Sequence, residues 1–114
     1  MPLVRIYVPP VALKILLESP IPLNKVQHAG RHLGYSSHEI WVTTSVLARP
    51  HDVVFVGVDV TAEDAEKWVK LKLMCDEIAK ALKEATGLSV EVVRGRFDQV
   101  SWFATADGQK KYPS

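Results

Sequence analysis

Residues 39–60 read Glu-Ile-Trp-Val-Thr-Thr-Ser-Val-Leu-Ala-Arg-Pro-His-Asp-Val-Val-Phe-Val-Gly-Val-Asp-Val, and the way this stretch divides decides the fold. Residues 39–47 are dense in β-branched and aromatic side chains, which suit a pleated, half-buried surface and predict a strand. Residues 53–60 predict another, because strict alternation places Val54, Val56, Val58 and Val60 on one face. Between them, Ala48-Arg49-Pro50-His51-Asp52 is a turn-rich link of hairpin length. The expectation is therefore two strands paired antiparallel.

Working outward toward the amino terminus, Leu3–Val8 alternates Val4, Ile6 and Val8 against Arg5 and Tyr7, then stops at Pro9-Pro10. That is a first strand. Residues 10–18 suit a short helix with proline in its first turn, closed by Ser19-Pro20-Ile21-Pro22. A second short helix follows, with Asn24 as its cap, Val26, Ala29 and Leu33 at helical spacing, and Gly34 as its left-handed stop. Toward the carboxyl terminus, Thr61 and Asp64 resemble a capping box and open a long helix that ends at Thr86-Gly87. Trp68, Leu71, Met74, Cys75, Ile78, Leu82 and Ala85 form its apolar stripe, opposite an arc of charge. Residues 88–93 predict a fourth strand, residues 99–105 an optional edge strand, and residues 107–114 a loose tail.

This order, βα(α)ββαβ, predicts one α+β domain over residues 1–106. Its simplest closure is a ferredoxin-like two-layer sandwich, an antiparallel sheet with helices on one face. The composition agrees with a single domain: 114 residues, 14 Lys or Arg against 13 Asp or Glu, and 47% hydrophobic. Such balance excludes a disordered chain, a histone-like cation and an acidic tail. The lone Cys75 rules out an internal disulfide and suits a reducing cytoplasm. The start, Met1-Pro2-Leu3-Val4-Arg5-Ile6, lacks the pattern of a signal peptide. The longest apolar run, Val53–Val58, is far shorter than the roughly 20 residues of a membrane helix. Few Asn and Gln beside many Val, Glu and Lys lean toward a heat-adapted protein.

No motif in the chain specifies a reaction, and no catalytic residue, metal ligand or cofactor is assigned. The informative surface is the sheet face left without helices, which alternation assigns to Arg5, Tyr7, Trp41, Thr43, Val53, Phe55 and Val93. That face is too apolar for water, so the leading expectation is a non-enzymatic domain that self-associates, as a homodimer, and binds a partner or ligand there. A first alternative is RNA or single-stranded DNA binding, with Tyr7, Trp41 and Phe55 stacking bases and Arg5, Arg94 and Arg96 holding phosphates. Against it, residues 52–58 lack the basic, glycine-containing RNA-recognition signature. A second is a small-molecule-sensing domain, by topology alone. Val69 and Leu73, four apart on the charged arc of the long helix, form an exposed apolar pair suited to a subunit contact. His28 and His32 have the i, i+4 spacing that lets two imidazoles meet one metal, yet no third ligand is defined by spacing. Cys75 on the apolar stripe reads as a packed thiol.

Overall fold

Two strand–helix–strand crossovers, each returning its second strand parallel to its first, build the chain. The computed structural model describes residues 2–47 and 52–96. In the first crossover, β1 (Leu3–Val8) leads to α1 (Pro10–Glu18), α2 (Ile21–His28), two 3-10 turns (Ala29–Leu33 and Ser37–Glu39) and β2 (Trp41–Val46). In the second, β3 (Val53–Val60) leads to the single turn α3 (Ala62–Ala65), then α4 (Trp68–Thr86) and β4 (Ser89–Arg96).

Local chemistry sets these boundaries. Pro10 and Pro22 sit in the first turns of α1 and α2, where a missing N–H costs nothing. The second helix therefore begins at Ile21, three residues before the cap expected at Asn24. Gly34 (φ 86°) and Gly87 (φ 72°) close the first 3-10 turn and α4 in the left-handed region that side chains disfavour. Thr61 accepts a hydrogen bond from the Asp64 N–H at 3.2 Å and so starts α3, as its sequence predicts. The helix expected from there to Thr86 is nonetheless interrupted, because Lys67 leaves helical geometry at φ −86°, ψ 52°. Trp68 thus starts α4 at 62% exposure instead of joining the apolar stripe.

The sheet order is β2-β1-β3-β4. β1 and β3 are central, as a ferredoxin-like closure would also have them, but the antiparallel sandwich is not what forms. β1 pairs with β2 in parallel and β3 with β4 in parallel, and only the central β1–β3 pair is antiparallel. The supposed hairpin strands β2 and β3 are not neighbours. A crossover helix brings the chain back to the end where its first strand began, so the next strand can seat directly beside that strand, leaving no slot for a hairpin partner. The link at 48–51, the expected edge strand at 99–105 and the tail lie outside the described residues.

One face of the sheet meets the helices. Val4, Ile6 and Val8 with Val54, Val56, Val58 and Val60 pack against Leu16, Leu71, Met74, Ile78 and Leu82, all nearly or wholly removed from water. Among the described residues no helix lies on the other face. This period-two partition is what the alternation predicts.

Candidate functional site

Because β1 and β2 start where β3 and β4 finish, four strand termini share one end of the sheet. Pro2 stands there at the head of β1, buried, with its carbonyl accepting the Trp41 N–H at 3.2 Å. Leu3 pairs with Trp41 and Asp59, so continuing the register places Pro2 between Ile40 and Val60. Alternation turns Pro2 to the helix side with Val4. Ile40 and Val60 are 2% and 0% exposed, so the ring sits in an apolar setting.

Polar groups crowd the segments around this end. The Tyr35 hydroxyl donates to Asp64 Oδ2 at 2.6 Å, and Lys67 Nζ stands 3.6 Å from Asp64 Oδ1. Tyr35 precedes β2 and Asp64 follows β3, so their bond links the segments on either side of β1 at the end where Pro2 stands. Asp64 is the buried charged residue among those described, at 3% exposure. Its carboxylate, as hydrogen-bond acceptor, pushes the Tyr35 phenol up to about 12, so this tyrosine keeps its proton at neutral pH. Beside it the Ser36 N–H and hydroxyl both donate to Glu39, at 2.9 and 2.8 Å, and hold that carboxyl below its usual range. This capping box braces the entry to β2.

The residues singled out from sequence fall into separate places. Arg5, Tyr7, Trp41 and Phe55 share the helix-free sheet face, where Arg5 pairs with Asp59 across Gly57. A Cβ at Gly57 would stand 3.7 Å from the Arg5 guanidinium, in ordinary van der Waals contact with it. Arg94 and Arg96 do not join them. Paired with Val58 and Val60, they lie on the helix side of β4. Val69 and Leu73 are exposed on α4, at 55% and 49%. His32 contacts Glu77 at 3.1 Å, and Arg31 donates to the same carboxylate at 2.9 Å. Arg31, followed by His32, pulls Glu77 down to about 2. Among the described residues no group of three or more His, Cys, Asp or Glu could hold a metal ion. Cys75 is buried, and desolvation lifts its thiol to about 11.

Sequence reasoning passed over Pro2. The signal was available in its place: a proline directly after Met1 and directly before a strand, where its ring has no ladder to join.

No family model and no curated protein matches the chain. Solved structures do. N1, a member of the cis-3-chloroacrylic acid dehalogenase family, is 10% identical and superposes at a TM-score of 0.69, covering 96% of this chain and 97% of that one. Malonate semialdehyde decarboxylase, studied as wild type, as a variant whose first-position proline is replaced by alanine, and in inactivated form, is 16% identical at 0.55, covering 92% and 98%. A fused 4-OT that forms a symmetric trimer is 14% identical at 0.60, covering 86% and 87%. The fold is thus a tautomerase-like β-α-β arrangement. These findings overturn the expectation of a non-enzymatic binding domain, since the sandwich behind it is absent and the architecture present is that of a dehalogenase family and a decarboxylase. Nothing in them supports nucleic-acid binding or heat adaptation. Among the described residues no helix is long and apolar enough to cross a membrane.

Proposed function

We propose that this chain is an enzyme that moves a proton on a small oxo or unsaturated acid, with Pro2 as the base once Met1 has been removed. The observation that carries the reading is Pro2 itself, buried among apolar neighbours at the shared end of four strands. An amino-terminal proline is a secondary amine. Chain-terminal amines titrate at about 7.7–8.0, and burial disfavours the ammonium form, which brings a neutral, proton-accepting amine within reach at physiological pH. Two fold relatives act, by name, on small acids or their semialdehydes, and one was studied with the proline at its own first position replaced.

In this scheme the Pro2 nitrogen takes a proton from the carbon beside the substrate carbonyl and returns it elsewhere on the same conjugated system, so no co-reactant is needed. Asp64, buried at the same end of the sheet, stabilises the cationic ring formed midway, while Tyr35 and Lys67 hold its side chain in place. The aromatic sheet face is covered by further copies of the chain, in keeping with the symmetric trimer of the fused 4-OT, and the lone buried Cys75 suits a cytoplasmic setting. Intact mass and a pH–rate profile test the reading. The purified protein is expected to lack Met1, and kcat/KM on an oxo acid is expected to rise with pH through one ionisation near neutrality. Retained Met1, or a flat profile, would contradict it.

A further inference from the structure

We propose that a cavity between the start of α4 and the end of β4 binds a small organic carboxylate, gripped by Arg94 and Arg96 against the indole of Trp68. The cavity holds about 370 Å³ and is lined by Ala65, Trp68, Leu71, Arg94, Gly95 and Arg96. That volume suits a ligand of benzoate size.

Three observations converge. Arg94 and Arg96 occupy alternate positions of β4 and so project to the same side, the one that meets α4. The positive charge of Arg94 is felt at Cys75 of that helix, which agrees with this orientation. Neither arginine has an ion-pair or hydrogen-bond partner among the described residues. Asp76, which lines a neighbouring cavity together with Arg94, is engaged by Lys72 at 2.7 Å, and Asp59 across from Gly95 is engaged by Arg5 on the opposite face. Two planar guanidinium forks, unpaired among the described residues, suit a carboxylate. The remaining wall is apolar or aromatic, so the ligand carries a hydrocarbon body, and Trp68 at 62% exposure is free to cover it.

Its arginines stand two strands from Pro2, while Ala65 and Trp68 adjoin Asp64 and Lys67 in the chain. Arg96 is paired with Val60 on β3, and Pro2 lies one strand further, so about 10 Å of sheet intervenes at the usual strand spacing. Val60 is fully buried between them. The inference rests on the two arginines and Trp68, and its test reads binding at them rather than chemistry at Pro2.

The test is titration of the full chain with benzoate and, separately, with inorganic phosphate, by calorimetry and by NMR of the arginine side-chain N–H groups. Benzoate is expected to bind and to shift two arginine signals in the unmodified protein. Arg94→Met and Arg96→Met should each weaken benzoate about tenfold or more, the loss of one charge-assisted pair. Trp68→Ala should weaken benzoate but leave phosphate unchanged, and Pro2→Ala should alter neither. The proposal is overturned by absence of benzoate binding at millimolar concentration or by arginine variants that bind as the parent does. It is equally overturned if benzoate and phosphate bind alike and both ignore Trp68→Ala, since that describes a general anion patch.

Discussion

The two halves of the chain share one strand–helix–strand plan and fill it differently. Between β3 and β4 the crossover is essentially one helix of 19 residues, which delivers Leu71, Met74, Cys75, Ile78, Ala81 and Leu82 to the core. Between β1 and β2 it is broken into helices of 9 and 8 residues and two 3-10 turns, and α1 buries only Ala12 and Leu16. The break follows from Pro20, Pro22 and Gly34, none of which a helix interior accommodates at low cost. An unbroken crossover concentrates apolar burial. A broken one spends residues on turns that set Tyr35, Ser36 and Glu39 at the rim beside Pro2. The second half buries more of the core and brings Asp64 and Lys67 to the candidate site, while the first supplies Pro2 and Tyr35.

Substitutions can break or sharpen that contrast. Leu82→Ala, at a fully buried position of α4, is expected to cost about 2–5 kcal/mol in chemical denaturation, with Leu16→Ala near the low end of that range because the short α1 can settle into the gap. Equal losses from both would show the halves to be equal partners in stability. Gly30→Ala comes next. A methyl group there would overlap the side chain of buried Ile40, the residue beside Pro2, so a cost of about 1–3 kcal/mol is expected, with a change in any activity at Pro2.

The clasp between the halves is testable by pH. Arg31 and His32 from the first crossover hold Glu77 of α4, whose carboxyl is lowered from 4.5 to about 2. A carboxyl lowered by folding contributes stability that is fully present above its unfolded value and is lost as pH falls toward its folded one. Thermal melts should therefore lose this contribution between about pH 4.5 and about pH 2, and Glu77→Gln should remove that part of the pH dependence. A wild type and variant with the same acid profile would deny the clasp. The smallest effect belongs to Val69→Lys and Leu73→Lys on exposed α4, expected to change monomer stability by less than about 0.5 kcal/mol.

Much of this architecture could be read from the residues. The alternation in Leu3–Val8 and Val53–Val60 correctly assigned the two faces of the sheet, and Gly87 ended α4 where helix chemistry requires it. Strand pairing could not be read, because Val42 and Thr44 suit an edge beside β1 as well as one beside β3. Period-two patterning reports which face is buried, never which neighbour supplies the hydrogen bonds. The Lys67 break likewise left no mark in the apolar periodicity, which put Trp68 on the wrong side. The Tyr35–Asp64 pair joins residues 29 apart, beyond any local motif. Arg94 and Arg96 were separated from Arg5 and Tyr7 only once the register of β4 was known. Pro2 was in plain view, yet its significance depends on the end of the sheet that surrounds it.

The central claim is that Pro2 does chemistry, and the most direct measurement is deuterium incorporation from heavy water into the carbon-bound protons of a panel of 2-oxo and 3-oxo acids, followed by NMR. The Met1-free protein is expected to exchange protons beside the carbonyl of at least one acid well above the protein-free rate, with Pro2→Ala folded but slower by about 10²–10⁴-fold. Exchange by Pro2→Ala at the parent rate, or none by the parent on any acid of the panel, would contradict it.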